Sequence, residues 1–422
     1  MGCRFQNYIK KKLTGDAKVV ASNFSWLLLL QVAGYVFPLI TLPYLARVVG
    51  VDGIGKIAFA SSIIIWIQTF ADWGFNFTAT RDVARNRDDI SKVSQIFSNV
   101  LWSRCILTLI GFIVLLILIY IVPSFRENSK VILVTFLMIP GHICYPDWFF
   151  QAIEKMKYTT MLNLLSKLLF TVAVFVFVKD SDDYILQPLF ISFGFVLSGI
   201  FAIVIIYKWG VKLCRPSYRE IVDTIKGSVD VFLNNLMPNL YNSFSSILLG
   251  VYGGSISTGL YSAGSKFVDI SQQFIGIMSR AFFPFLSRKL EKHSFYRKIN
   301  LTLAMIMAAV LFVLAPFIIN LFYGQEFAKS VTLLRILSIS IPFLALVNIY
   351  GTNYLILVNR EKNLRQVTMY VSLFGFLIAF PLVYFFDYVG AAINVCLTRT
   401  LLGIGIMLVS MRYRTSSRMI GN

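Results

Sequence analysis

Apolar runs of about 20 residues recur from Phe24 almost to the end of this 422-residue chain. Each is long enough to cross a bilayer as a helix, the conformation in which a segment in hydrocarbon pairs its own backbone groups. Composition agrees: 57% of residues are apolar and 14% charged, with a mean hydropathy of +0.73, whereas a soluble domain carries about a quarter charged residues. A single soluble core stops growing near 250–300 residues, so a soluble chain of this length would divide at polar linkers, and no long one is visible. A soluble enzyme, a disulfide scaffold and a disordered tail are excluded together. The chain reads as an all-α integral membrane protein with many spans.

Twelve spans can be placed, at about 24–46, 54–73, 95–122, 131–152, 160–178, 185–207, 229–251, 258–285, 300–321, 331–358, 365–386 and 389–411, and they are called spans 1 to 12 below. Lys10-Lys11-Lys12 precede span 1, and no small-residue cleavage pattern closes it, so it reads as an uncleaved first span. Prolines fall inside several spans, among them Pro38, Pro43, Pro140, Pro146, Pro238 and Pro342, which predicts kinked helices around a cavity. Trp148-Phe149-Phe150 and Tyr384-Phe385-Phe386 at span ends read as interfacial anchors.

With the N-terminus placed in the cytoplasm, the cytoplasmic segments hold 27 Lys and Arg and the outer connections six at most. Positive charge in short loops stays inside, so both termini are expected to be cytoplasmic. The formal charge of +19 is then a topology signal with attraction to anionic lipid as a by-product, and nucleic acid is not expected as a partner.

The cytoplasmic segment 208–228 divides the spans six and six. A shift of 204 residues sets Gly50 on Gly254, Gly55 on Gly259 and Asp183-Tyr184 on Asp387-Tyr388, each at the matching outer turn. The expected organisation is a cytoplasmic segment 1–23, an N-terminal lobe 24–207, a linker 208–228, a C-terminal lobe 229–411 and a cytoplasmic tail 412–422. Parallel repeats of this kind place a substrate between the halves.

Covalent chemistry finds little support. The five cysteines form no CxxC pair, and with only His142 and His293 no zinc constellation can be assembled. Gly50 to Lys56 has the GxxxxGK spacing, but Ile57 stands where a magnesium-binding hydroxyl belongs; after Gly259 and Gly264 the lysine, Lys266, comes one place late. No paired catalytic carboxylates or nucleophile elbow appear, so no cofactor, metal or catalytic residue is expected.

What remains is ionisable side chains inside spans. A charge at mid-bilayer costs about 2.5–3.5 kcal/mol on insertion scales, so each needs a partner, a wet cavity or a route to the interface. Arg280 and Arg335 lie near span ends and can snorkel, and Asp147 and Asp230 lie near cytoplasmic ends where they can stay wet. Lys266 and Asp269, three apart on one helical face, can neutralise each other or face a cavity. Arg104, Lys167 and Arg399 sit deep in their spans. The interior charge is therefore mainly cationic, which suits an anionic passenger carrying phosphate or carboxylate.

Specific stretches carry a resemblance. Leu42-Pro43-Tyr44-Leu45-Ala46-Arg47-Val48-Val49-Gly50, running into Gly53-Ile54-Gly55, resembles the first outer turn of O-antigen flippases, in the polysaccharide-exporter branch of the multidrug/oligosaccharidyl-lipid/polysaccharide exporter superfamily. Asp72-Trp73-Gly74-Phe75-Asn76-Phe77-Thr78-Ala79-Thr80-Arg81-Asp82-Val83-Ala84 is similar to that family's segment after span 2. Asp147 to Met156 resembles its segment ending span 4, and Gly259 to Lys266 with Phe283-Pro284-Phe285-Leu286-Ser287 resembles its span 8. The likeness covers nearly the whole chain.

It implies about twelve helices in two pseudo-symmetric six-helix lobes, V-shaped around a central cavity that opens alternately to the two sides. The implied passenger is an undecaprenyl-pyrophosphate-linked oligosaccharide repeat unit, moved from the inner to the outer leaflet of a bacterial inner membrane under an ion gradient. A polysaccharide polymerase and a chain-length regulator are the implied protein partners. Carried over by motif, Arg47, Arg81 and Lys266 join Arg104, Lys167 and Arg399 as cationic cavity candidates, and Asp72 and Asp269 are candidates for ion coupling. Two other readings are weaker. A superfamily exporter of cationic drugs needs cavity carboxylates, and span 1 has none. A membrane enzyme acting on the same lipid-linked sugars needs a long outer loop, and the outer connections are too short for one.

Overall fold

The computed structural model describes residues 2–419. The side chains of 1–21, 24, 28, 284 and 414–422 lie outside the described residues, and with them the Lys10-Lys11-Lys12 cluster, the Pro284 ring and most of the C-terminal tail. Among the described residues the chain is helical, with no strand. Eight helical stretches are long and apolar enough to cross a membrane. Two of these, Ser25–Arg85 and Glu361–Tyr413, run 61 and 53 residues, or about 90 and 80 Å at the helical rise, against a hydrocarbon core of about 30 Å. Each is broken by a non-helical residue, Gly50 (φ 65°) in one and Asp387 (φ 50°) in the other. Leu42 and Leu45 before Gly50 line the same cavity as Ile57 and Ala58 after it. Across the Asp387 kink, Gly375 packs on Thr398. Both long stretches therefore double back and count as two spans.

Two further spans complete the count of twelve. Span 7 is split into Val229–Asn239 and Ser243–Tyr252, with Pro238 just before the break, where the missing N–H and the ring oppose a continuous helix. Span 8 is Gly254–Arg288, less apolar than the others because its polar face is turned inward. Spans 4 and 10 are likewise broken, at Pro146 ahead of Asp147–Ala152 and at Pro342 in the first turn of Ile341–Leu346.

The two halves meet at the outer turns of spans 1–2 and 7–8. Gly50 and Gly254 both have left-handed backbone, with φ 65° and 76°, which a side chain would strain. A Cβ on Gly55 would run into the Ser255 carbonyl, and one on Gly259 into the Val51 carbonyl. The 204-residue shift carries Val51 onto Ser255, so the two contacts are equivalents across a pseudo-two-fold axis. Ser255 donates to Asp52 across this seam, and Lys56 closes on Asp52 at 2.7 Å.

One large apolar cluster holds the C-terminal half and reaches across to Leu45, Ala46 and Val49 of span 1. Two more, one around Phe59 to Ile64 and one around Trp148 to Phe150, hold the N-terminal half. The interfacial-anchor reading of Trp148-Phe149-Phe150 is corrected here: their exposures are 2%, 1% and 0%, whereas Tyr384-Phe385-Phe386 are exposed. Trp148 and Phe149 both pack on Phe97 of span 3, and Phe150 stacks with Tyr158, so this cluster is core. The segment that follows span 6 is fastened to the N-terminal end of span 3. Ser94 and Ser98 accept the backbone N–H groups of Lys212 and Cys214, and Gln95 donates to Glu220, which closes a capping box with Ser217.

Candidate substrate cavity between the halves

A cavity of about 420 Å3 lies between the two halves beneath the glycine seam. The kink at Gly50 presents Leu42 and Leu45 of span 1 beside Ser61, Ser62 and Ile65 of span 2, and none of the N-terminal half's lining residues is charged. The opposite wall, from spans 7, 8 and 12, carries all the ionisable charge: Lys266, Asp269 and Arg399.

Arg399 is 4% exposed, placed there by the return of the chain at Asp387. Its guanidinium donates to Asn242 Oδ1 at 3.2 Å and Gln272 Oε1 at 3.3 Å, reaches Ser340 Oγ at 3.5 Å and lies 3.5 Å from Asp269 Oδ1. The planar fork is thus held by neutral acceptors on three spans, while its Nε is buried without a hydrogen-bond partner among the described residues. Asp269 pairs with Arg399 rather than with Lys266, which forms no ion pair among the described residues. Two cations against one carboxylate leave an uncompensated positive charge on a wall otherwise rich in hydroxyls and amides.

Lys266 and Asp269 are also reached through a crevice of about 50 Å3 between spans 1 and 8, lined by Gly34, Tyr35 and Leu42 among others. Lys167 lies elsewhere. It points into a separate cavity of about 160 Å3 within the N-terminal half, with Phe37, Tyr145 and Phe170. Only Pro38 is shared between that cavity and the crevice.

The other residues singled out from sequence are not on the cavity wall. Arg104 is 1% exposed inside the N-terminal half, where it donates to Asp72, and His142 Nε2 stands 3.7 Å from the other Asp72 oxygen. Arg47 is at the outer seam, where it donates to the Leu321 carbonyl at 3.3 Å. Arg81 is exposed on the helix Phe75–Arg85 that follows span 2 and pairs with Asp82 at 2.8 Å. Of the eight candidates, the fold brings Lys266, Asp269 and Arg399 together in one cavity and Arg104 and Asp72 in one buried pair.

Sequence reasoning missed the neutral polar wall. Ser61, Ser62, Ser243, Ser246, Ser262 and Ser265 all face the cavity, and their signal is a serine recurring three residues on, or side by side, inside an apolar run. His142 was also missed as a neighbour of Asp72. Chemically, the cavity can take an anionic head on Lys266 and Arg399 and satisfy sugar hydroxyls with serines and amides.

Comparisons with known proteins bear on the family and the fold. A family model described as polysaccharide biosynthesis protein matches residues 20–290. Two curated relatives carry the name "Putative O-antigen transporter". That of Escherichia coli (strain K12) is 29% identical over 400 residues, covering 92% of this chain and 96% of its own length. That of Shigella dysenteriae is 25% identical over 391 residues, covering 90% and 97%. Among solved structures, the lipid II flippase MurJ in an inward closed conformation superposes with a TM-score of 0.72 at 14% identity, covering 90% of this chain and 87% of its own. An inward-facing multidrug resistance MATE family transporter of the MOP superfamily gives 0.63 at 16%, covering 89% and 94%. The fold is that of these transporters.

Proposed function

The chain belongs to the polysaccharide biosynthesis protein family, and from that premise we propose that it carries an undecaprenyl-pyrophosphate-linked O-antigen or polysaccharide repeat unit from the inner to the outer leaflet of a bacterial cytoplasmic membrane. Relatives spanning nearly the whole chain are named as transporters, and the chain is a transporter, not an enzyme. The single observation that carries the substrate reading is the charge of the cavity: Lys266 and Arg399 against Asp269 alone, among hydroxyl and amide side chains. An anion in that site gains charge-assisted hydrogen bonds in a low-dielectric setting.

In the proposed cycle the pyrophosphate and its first sugars occupy the cavity while the prenyl chain stays in the bilayer. The glycine seam seals the outer side while the head enters from the cytoplasm, and separation of that seam with closure at the cytoplasmic side releases the head outward. A difference in affinity of passenger and coupling ion for the two states must drive the exchange, and Asp72 and Asp269 are the coupling candidates. The termini are proposed to be cytoplasmic, and the released unit to pass to a polymerase and its chain-length regulator.

The test is complementation of a strain lacking its own flippase for this polysaccharide. Lys266→Ala and Arg399→Ala, at normal protein level in the membrane, are expected to abolish surface polymer and leave single lipid-linked repeat units on the cytoplasmic face. Full surface polymer in both variants would reject the reading.

A further inference from the structure

The buried ionic group around Asp72 lies outside the substrate cavity, and two separate observations give it a role. The first is that it is unsaturated. Arg104 donates to one Asp72 oxygen, while Arg104 Nε and Nη1 and His142 Nδ1 are buried with no hydrogen-bond partner among the described residues. His142 Nε2 stands 3.7 Å from the second Asp72 oxygen, within range of an ion pair and beyond a hydrogen bond. The charged group set against the imidazole is Asp72 from span 2, itself paired with Arg104 from span 3, while Cys105 and Cys144 lie near Arg104. Span 6 presents Phe195, edge-on at 5.7 Å, and Lys167 lines the cavity on which Phe195 also borders.

The second is the strained backbone immediately C-terminal to Asp72. Trp73 and Gly74 are successive left-handed residues, φ 43° and 78°, and a bulky side chain is held in that region only when its surroundings enforce it. Here those surroundings belong to the linker and the other half. The Trp73 indole N–H donates to the Ile225 carbonyl at 3.0 Å, and its ring stacks on Phe232 of span 7 at 4.0 Å and 7°. Gly74 packs on Val231 with no room for a Cβ, and Thr78 and Ser228 share a hydrogen bond of 2.7 Å. The cytoplasmic contact between the halves is therefore built on the residues next to Asp72.

We propose that His142 and Asp72 form a proton site whose occupancy releases this cytoplasmic contact. The inference rests on the alternating-access reading above and adds the ion and the element that it acts on. With His142 neutral, Asp72 answers to Arg104 alone and the Trp73 latch stays seated. One proton taken from water onto the imidazole makes a second cation, which draws the free Asp72 oxygen from 3.7 Å to hydrogen-bond distance. Asp72 shifts toward span 4, the strained Trp73–Gly74 connection follows it, and the stack on Phe232 and the bond to Ile225 open.

The experiment uses the full chain in lipid nanodiscs, with its five cysteines replaced by serine and surface-polymer complementation confirmed. Spin labels at Asp88→Cys and Lys362→Cys, exposed cytoplasmic positions of the two halves, report their separation without any substrate. The labels are expected to move apart on going from pH 8 to pH 6. His142→Asn should hold the short distance at both pH values, and His142→Lys should populate the long one at both. Trp73→Phe, which keeps the stack and loses the indole bond, should raise the long population several-fold at pH 8. A pH response that survives in His142→Asn, or a parent with none, overturns the proposal; if the His142 variants fail to fold, an unchanged distance in Trp73→Phe does the same. Loss of transport in Arg399→Ala with this pH response intact would separate a failure of the passenger reading from a failure of the switch.

Discussion

Arg399 is the residue on which the cavity's chemistry turns, because its guanidinium is fixed by Asn242 and Gln272 and only partly neutralised by Asp269 at 3.5 Å. Five donors in a rigid fork let it hold those acceptors and still offer N–H groups to a phosphate, which an ammonium on a flexible stem cannot do as well. Arg399→Lys should therefore restore part of the surface polymer lost in Arg399→Ala, measured at matched protein level. Arg104 has the same charge and a different task. Its partner is Asp72, and removing one member of a buried pair costs about 3–5 kcal/mol because the other charge is left unpaired. Arg104→Ala should lower the thermal midpoint in detergent by several degrees, and Arg104→Met with Asp72→Leu should recover much of it. Equal melting of Arg104→Ala and parent would show that the pair carries no stability.

At the scale of elements, the seam of Gly55 and Gly259 is the proposed outer seal. Either glycine replaced by Val would drive a Cβ into a backbone carbonyl of the opposite half, which cannot retreat as a flexible side chain could. Such variants should fold and accumulate with the outer side open. A cysteine at Ser61, on the cavity wall, should then react faster with a membrane-impermeant thiol reagent added outside. An unchanged rate would mean that the seam does not gate the cavity. The glycines were legible beforehand as a repeat, since Gly50 with Gly254 and Gly55 with Gly259 share one offset. Their reason was not, because close approach of two backbones is a contact between segments far apart in sequence. Trp148-Phe149-Phe150 shows the opposite difficulty. An aromatic run at a span end has the same composition whether it faces headgroups or packs on Phe97, and hydropathy does not record which face of a helix has a neighbour.

For the whole molecule, hydropathy and loop charge made the twelve spans readable, since each span satisfies its backbone locally and each short loop carries its own topology signal. The distribution of the interior charges was not readable. Arg104, Lys167 and Arg399 look alike in sequence, as deep cations in apolar runs, yet they occupy a buried pair, a side cavity and the central cavity. Asp269 lies three residues from Lys266, but the fold gives it to Arg399 of another span.

The proposed binding of the anionic head of a lipid-linked saccharide through Lys266 and Arg399 is measurable in purified protein. Each charge-assisted hydrogen bond is worth about 1.5–3 kcal/mol, so losing both residues should weaken binding by about a hundredfold or more. The measurement is equilibrium binding of a fluorescent prenyl-pyrophosphate-linked saccharide to the parent and to the Lys266→Ala, Arg399→Ala double variant. That loss is expected together with a weaker salt dependence in the variant. Equal affinity of the two proteins, with the variant folded, would contradict it.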